Sequence, residues 1–507
     1  MIVVDGETLT IEDVVRASRG RERTRLSRQA AERMEKSRKT VQEILKSDEV
    51  VYGIKTGFGE LANIMIPDRE LINLQRNLIR SHCAGVGENL EEEHVRASML
   101  LRANSLAKGY SGVRVEVVRT LLEMLNKGVL PVVPGVGSVG ASGDLAQLAH
   151  IAAVLMGEGQ CLYGGKLLSG ATGMKRAKIK PLRLEHKEGV ALVNGTSVMT
   201  GVACMVVADS MNLVKEAQIA ASMSFEALKS SPQPFDRRLG KLRPHKGHLT
   251  CAKNMMRLLR GSKIIPSHED CPKVQDAYTI RCIPQVIGSV VDAIDYARKV
   301  IEIEINSATD NPLILPDSGE SLSCGNFHGQ PIAMAMDHLS LGLCILGSFS
   351  ERRIARLVDS HLSGLPPFLT EKSGTRSGFM MAQCTAAALA SENKVLAHPA
   401  SADSIPTSAG QEDYVSMGLW AARKAALALR NTSRIISLEL LCAAQGLDFL
   451  KPLRPGRGVE AAHKIIRRNI RHLSSDRPLT PDVEKVLQLM EEGSIRGEVE
   501  GAVGRLL

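Results

Sequence analysis

The chain reads as a mainly α protein: a core of long bundled helices with a smaller N-terminal part made of loops and short strands. Three observations predict this. Proline is absent from 182 to 231, from 332 to 365 and from 407 to 451, and because proline breaks helix interiors its absence over such lengths permits very long helices. Within these windows apolar residues recur at helical spacing, as in VACMVVADSMNLVKEAQIAASM and YVSMGLWAARKAALALRNTSRIISLELLCAA. Helical patterns longer than about 25 residues point to a bundle rather than to a compact α/β domain. The 507 residues divide accordingly into an N-terminal part, 1–185, and a long-helix part, 186–507.

Taken in order, the chain opens with an Asp5-Gly6 turn signal inside residues 2–9, which predicts a small hairpin. Thr10 and Asp13 form a capping pair that starts a helix. A charged amphipathic helix is expected over 24–46, then a glycine-rich loop, YGIKTGFGE, from Tyr52 to Glu60. Helical patterns resume over 68–82, 91–107 and 112–127. The loop VLPVVPGVGSVGASG interrupts them, and 160–183 reads as a strand-and-loop insert. Polar loops at 230–248, 307–329, 366–378 and 398–413 separate the later helices. Such loops on a rigid scaffold are where catalytic groups are usually placed.

Composition narrows the function. Hydrophobic residues make up 44% and charged residues 23%, the balance of a globular protein with a large core. The formal charge of +9 is a modest excess over this length, and the basic stretches RASRGRERTRLSRQ and KIIRRNIRHL lack interleaved aromatics for stacking on bases. No nucleic-acid partner is expected. No run of 18 uninterrupted apolar residues and no signal peptide is found, and ten cysteines lack regular spacing. The expectation is a cytoplasmic protein with reduced, buried thiols and no membrane partner.

The stretch GSVGASGDLAQLAH, 137–150, carries the chemistry. Attack of the Gly143 nitrogen on the Ala141 carbonyl would close a five-membered ring, and loss of the Ser142 hydroxyl as water would leave an exocyclic C=C bond. The product is a methylidene-imidazolone, an electrophile made from backbone. Gly143 has no Cβ to block the approach, Ala141 is small, and Ser142 carries a β-oxygen that can leave. Asp144 stands at an expected helix start, where a carboxylate caps free N–H groups. A competing pattern overlaps: Gly135, Gly137 and Gly140 spell G-x-G-x-x-G, with Glu158 downstream. That fingerprint needs a preceding strand within a βαβ unit, and Pro131 and Pro134 argue against one.

Around Ala141-Ser142-Gly143 the sequence resembles the aromatic amino acid ammonia-lyases and related aminomutases, and the likeness runs from Tyr52 to Glu412. The resemblance implies that Tyr52, in YGIKTGFG, is the catalytic base. A phenol has an ordinary pKa near 10, so such a base must be activated. It implies that His82, in RSHCAGVG, faces a substrate imidazole, and that Asn194, in ALVNGT, lies near the prosthetic group. In VQDAYTIRC, spacings of three place Gln275, Tyr278 and Arg281 near one face if the segment is helical. The resemblance makes Arg281 the carboxylate clamp, a task suited to a planar guanidinium, and puts Tyr278 near the reacting centre. In CGNFHG it implies that Phe327 shields the electrophile and that Asn326 joins the polar network. Glu412, in QEDYVSM, is the sharpest mark of the histidine-specific branch, since the phenylalanine and tyrosine lyases usually carry a Gln-Asp pair without this Glu. Lys55 and Tyr414 depart from the residues expected beside these motifs.

The implied activity is non-oxidative elimination of ammonia from L-histidine to give urocanate, in a homotetramer with shared sites and no external cofactor. Lyases or aminomutases acting on tyrosine or phenylalanine are the nearest alternative. Two metal-like clusters, His245 with His248 and His268 with Glu269, Asp270 and Cys271, lack a complete structural-zinc pattern, so no metal is expected.

Overall fold

Among the described residues four helices exceed twenty residues: Ser197–Ala227, Ile283–Glu304, Gln330–Val358 and Gly418–Asp448. Three of them fall in the proline-free windows, apart from Pro331 in the first turn of Gln330–Val358, and Ile283–Glu304 also has its one proline, Pro284, in the first turn, where no intrahelical N–H is needed. The computed structural model describes residues 1–47, 51–268 and 274–507. Strands are few and short, so the mainly α expectation holds. By length and composition Ser197–Ala227 and Gln330–Val358 could each cross a membrane, but 78% and 67% of their most apolar windows are buried inside the protein. That burial accounts for their apolarity.

The chain forms two units, each assembled from three stretches. The first holds Met1–Ala208, Ala297–Asp337 and Pro399–Lys424. In it the Thr10–Asp13 capping box is present, with Thr10 Oγ1 accepting from Asp13 N and the Asp13 carboxylate accepting from Thr10 N. The hairpin expected at 2–9 is not formed. Ile2–Val4 pairs in parallel with Thr24–Leu26, while the Asp5 side chain accepts from Glu7 N and Thr8 N. The turn signal is real, but it is spent as an Asx turn. Thr24–Leu26 therefore belongs to a strand, and the helix expected over 24–46 begins at Arg28, capped by Ser27. Within the 160–183 insert, Gln160–Tyr163 and Lys166–Ser169 form the expected strands, and Gly170–Arg176 adds a short helix capped by Ser169.

The second unit holds Asp209–Tyr296, His338–His398 and Ala425–Leu507. Its interior contains an ion pair of Arg353 with Glu439, both fully buried, and Ser224 and Ser350 donate to the same carboxylate. The two hydroxyls meet the remaining accepting capacity of Glu439, which lowers the cost of keeping the pair in a low-dielectric core, whereas Arg353 Nη1 has no partner among the described residues. Among the described residues the cysteines form no disulfide.

Candidate active site

The Ala141–Ser142–Gly143 loop is held by backbone contacts that only glycine permits. Gly143 has φ +72°, and a Cβ there would stand 2.1 Å from the Gly195 carbonyl oxygen. Gly195 N donates to Ser142 O at 3.2 Å, and Asp144 N donates to Gly195 O at 2.8 Å. Ser138 Oγ donates to Gly143 O at 3.0 Å. Ser416 Oγ and Gly329 N both donate to Gly140 O. The G-x-G-x-x-G reading fails here, because Pro134–Val136 pairs antiparallel with Val86–Asn89 and belongs to no βαβ unit.

Asp144 departs from its expected role. It precedes the Leu145–Leu155 helix but makes no side-chain cap to it. Its carboxylate instead accepts from Val198 N and Met199 N, at 2.9 and 2.8 Å, in the first turn of Ser197–Ala227. Complete burial pushes its pKa up to about 7 against the pull of these N–H groups and Ser138. It caps a helix 54 residues away and so fixes the loop to the scaffold.

Glu412 meets the loop directly. Ser142 Oγ donates to Glu412 Oε1 at 2.8 Å, and Thr407 Oγ1 donates to Oε2 at 2.5 Å. The loop carrying Glu412 is fastened on both sides. Ser401 N donates to Asp337, itself in a buried ion pair with Lys424, and Met417 N donates to Val139 O at 2.8 Å.

Tyr52 and His82 both lie within electrostatic reach of Glu412. Burial raises the Tyr52 pKa above 10, the Gly59 N–H on its phenol oxygen at 3.2 Å opposes this, and Glu412 and Asp310 raise it further. The phenol is therefore protonated at neutral pH. Burial lowers the His82 pKa against the Leu78 carbonyl and Glu412, so its imidazole is neutral at pH 7. Ser81 Oγ spends its one proton on Leu78 O and lies 3.1 Å from His82 Nδ1. Nδ1 thus carries the hydrogen, and Nε2 is left as an acceptor.

Asn194 caps no helix start. It follows the Glu188–Val193 helix and is buried, with Nδ2 donating to Asn311 O at 3.4 Å and Oδ1 without a partner among the described residues. Three charged residues behind it had no signal in the motifs. Arg102 donates to Asn194 O at 2.7 Å, and Lys187 pairs with Asp310 at 2.7 Å with both side chains fully buried. The available clue for Arg102 was a lone cation in ASMLLRANSLA, a segment apolar on nearly every side.

Asn326 donates to Ala308 O at 3.3 Å, and Phe327 is half-buried. His328 Nε2 lies 3.2 Å from Tyr414 O, and its ring stacks on Tyr414 at 6.0 Å. The Tyr414 departure is thus absorbed in a local stack. Lys55 turns to the Ser47 carbonyl. Tyr52, His82, the tripeptide, Asn194, Asn326, Phe327 and Glu412 all belong to the first unit, whereas Gln275, Tyr278 and Arg281 belong to the second. The helix there spans only Tyr278–Arg281, so Gln275 precedes it and does not share its face. Tyr278 is 69% exposed, with the Arg281 guanidinium 4.5 Å over its ring, and Arg281 Nε is buried without a partner among the described residues. Of the metal-like clusters, His268 Nδ1 is 3.0 Å from Ile264 O, and Glu269, Asp270 and Cys271 lie outside the described residues. His245 precedes the Lys246–Leu258 helix and His248 is buried in its first turn, with neither ring nitrogen of His248 partnered among the described residues.

Comparison with known proteins bears on the family and the fold. Residues 9–468 match the family model described as aromatic amino acid lyase. The chain is 51% identical over 494 residues, 97% of both chains, to the histidine ammonia-lyase of Caldanaerobacter subterraneus subsp. tengcongensis. The crystal structure of histidine ammonia-lyase from Trypanosoma cruzi superposes with a TM-score of 0.92 at 40% identity, over 99% of this chain and 95% of that one. A tyrosine aminomutase from Streptomyces globisporus gives 0.95 at 37% identity, over the whole of both chains. The chain belongs to the aromatic amino acid lyase family.

Proposed function

We propose that the enzyme is a histidine ammonia-lyase, a carbon–nitrogen lyase that eliminates ammonia from L-histidine to give urocanate. The observation that carries this reading is the bond between Glu412 and Ser142 Oγ at 2.8 Å. It sets the residue that the family resemblance marks as histidine-specific against the atom whose loss creates the electrophile. The residues present fit a methylidene-imidazolone made from Ala141, Ser142 and Gly143 without an external cofactor. Gly195 leaves no room for a Cβ at 143, and the serine hydroxyl is bonded to the Glu412 carboxylate and, among the described residues, to no backbone group. When formed, that group supplies an electrophile that turns the substrate amino group into a better leaving group.

The other roles belong to the side chains. Loss of the Ser142 hydroxyl removes the partner of Glu412 Oε1 and leaves an acceptor for an imidazole N–H. His82 Nε2 offers a second acceptor. Asn194 Oδ1, buried and unpartnered, accepts from the substrate amino group, Asn326 completes the polar network, and Phe327 excludes water. Tyr52 takes the β-proton. Its raised pKa makes the phenolate scarce at neutrality, so kcat/KM should climb as pH rises toward 10 and above. In Tyr52→Phe that climb should vanish and kcat should fall at least about a hundredfold, the scale of general-base catalysis. A variant that keeps both the pH profile and most of the rate shows that another group is the base.

Arg281 clamps the carboxylate, with Tyr278 and Gln275 beside it, reaching the site from a neighbouring subunit of a cytoplasmic homotetramer. The exposure of Tyr278 and the unpartnered Arg281 Nε support this reading. Refolding Ser142→Ala together with Arg281→Met, each inactive alone, should restore about a quarter of wild-type activity, the share of sites receiving both intact residues if sites are built across an interface. No restoration means that one subunit supplies both. The function itself is tested by offering histidine, tyrosine and phenylalanine to the purified enzyme and following acrylate absorbance and ammonia. Urocanate should form fastest. Preferential conversion of tyrosine, to coumarate or β-tyrosine, replaces the histidine reading.

A further inference from the structure

Arg102 is a buried cation that has no carboxylate in hydrogen-bond contact among the described residues. Nη1 donates to Asn194 O at 2.7 Å, and Nε and Nη2 have no partner among the described residues. The nearby Asp310 is already paired with Lys187, so the three groups leave one net positive charge in the interior. Burial lowers the Arg102 pKa to about 10, which keeps it charged at neutral pH. An uncompensated buried charge is costly, and even buried ion pairs can be exchanged for well-packed apolar residues at little loss or at a gain in stability. Its presence there calls for a role other than holding the fold.

The peptide it touches supplies that role. The Asn194 carbonyl and the Gly195 N–H belong to one peptide group. Its oxygen accepts from Arg102, and its N–H donates to Ser142 O at 3.2 Å. A cation on the carbonyl side polarises the amide and strengthens its N–H as a donor. We infer that Arg102 is a positioning residue for maturation: through the Asn194–Gly195 peptide it stabilises negative charge on Ser142 O while Ser142 loses water. In that step the Ser142 Cα–H bond breaks and its electron pair spreads onto Ser142 O. The pair then returns to form Cα=Cβ as the Cβ–Oγ bond breaks, and the proton and hydroxide leave together as water. A donor aimed where charge develops acts as an oxyanion hole does. The contact is also close: a Cβ at Gly195 would stand 2.3 Å from Arg102 Nη1, so the glycine lets the guanidinium reach the peptide.

The inference rests on the prosthetic-group reading, and one experiment separates the two. Wild type, Arg102→Met and Arg102→Lys are synthesised cell-free, synthesis is stopped, and intact mass is followed with time alongside the near-ultraviolet band against Ser142→Ala. Wild type should lose two waters; a wild type that keeps its full mass refutes the prosthetic-group reading itself. Arg102→Met should melt no lower than wild type, yet mature at least about tenfold more slowly, a smaller loss than the about 10²–10³ for deleting an oxyanion donor outright. Its band should be displaced, and Arg102→Lys should restore both rate and band. A Met variant that matures at the wild-type rate with an unshifted band overturns the inference. If the Met variant does not fold, the Lys variant decides: maturation within about threefold of wild type supports the role, since one cationic donor to Asn194 O suffices, and a folded Lys variant slowed tenfold or more overturns it.

Discussion

Ser142→Ala should give a folded enzyme whose turnover of histidine is lower by about four orders of magnitude, equivalent to about 5 kcal/mol of barrier. The fold should survive because the loop is not held by the lost oxygen. Gly195 contacts Ser142 and Asp144 through backbone, and Asp144 is anchored at Val198 and Met199. The substitution removes a single hydrogen bond, to Glu412, worth about 1 kcal/mol net. The chemical loss is larger, since without the β-oxygen no exocyclic alkene can form and the amino group remains a poor leaving group. Circular dichroism and melting should therefore resemble wild type while urocanate production collapses. Near-normal turnover would place the chemistry elsewhere.

Glu412→Gln should cut kcat/KM for histidine by about 2–5 kcal/mol in transition-state terms, the usual cost of removing one member of a hydrogen-bonded charged contact. The amide can still accept from Ser142, so loop geometry and maturation should persist, but it cannot stabilise positive charge on the imidazole. In the wild type the same carboxylate discriminates against phenylalanine, whose ring offers no donor to Oε1 while Thr407 holds only Oε2. Sites built around such a polar contact reject the ligand lacking it by about 10⁴. Tyrosine is the sterner competitor, because its phenol can donate to Glu412. The second acceptor, His82 Nε2, favours the imidazole. Relative kcat/KM for the three amino acids in wild type and variant checks this, and a variant with full histidine activity removes Glu412 from substrate recognition.

Features governed by neighbours in sequence were legible from the sequence. Three of the four long helices follow from proline-free windows, and the Thr10–Asp13 box links residues three apart. The tripeptide and Glu412 were readable because their motifs are dense, and the fold brings them together although 270 residues separate them. What escaped was set by distant partners. Asp5-Gly6 signals a turn, but the strand pairing Ile2–Val4 lies at Thr24–Leu26, so the hairpin was misread. Asp144 reads as a cap for the adjacent helix, yet the loop geometry turns its carboxylate to a different one. Gln275 has helical spacing from Tyr278, but only four residues adopt the helix. Arg102 carries no motif, because its partner is a backbone carbonyl 92 residues away.

The intact mass of the purified wild-type chain tests the central claim most directly. Cyclisation across Ala141, Ser142 and Gly143 followed by dehydration removes two waters, so the chain should weigh two waters less than its sequence, and Ser142→Ala, with no β-oxygen to lose, should not show that full deficit. A wild-type chain of full sequence mass that nevertheless converts histidine to urocanate would contradict the account.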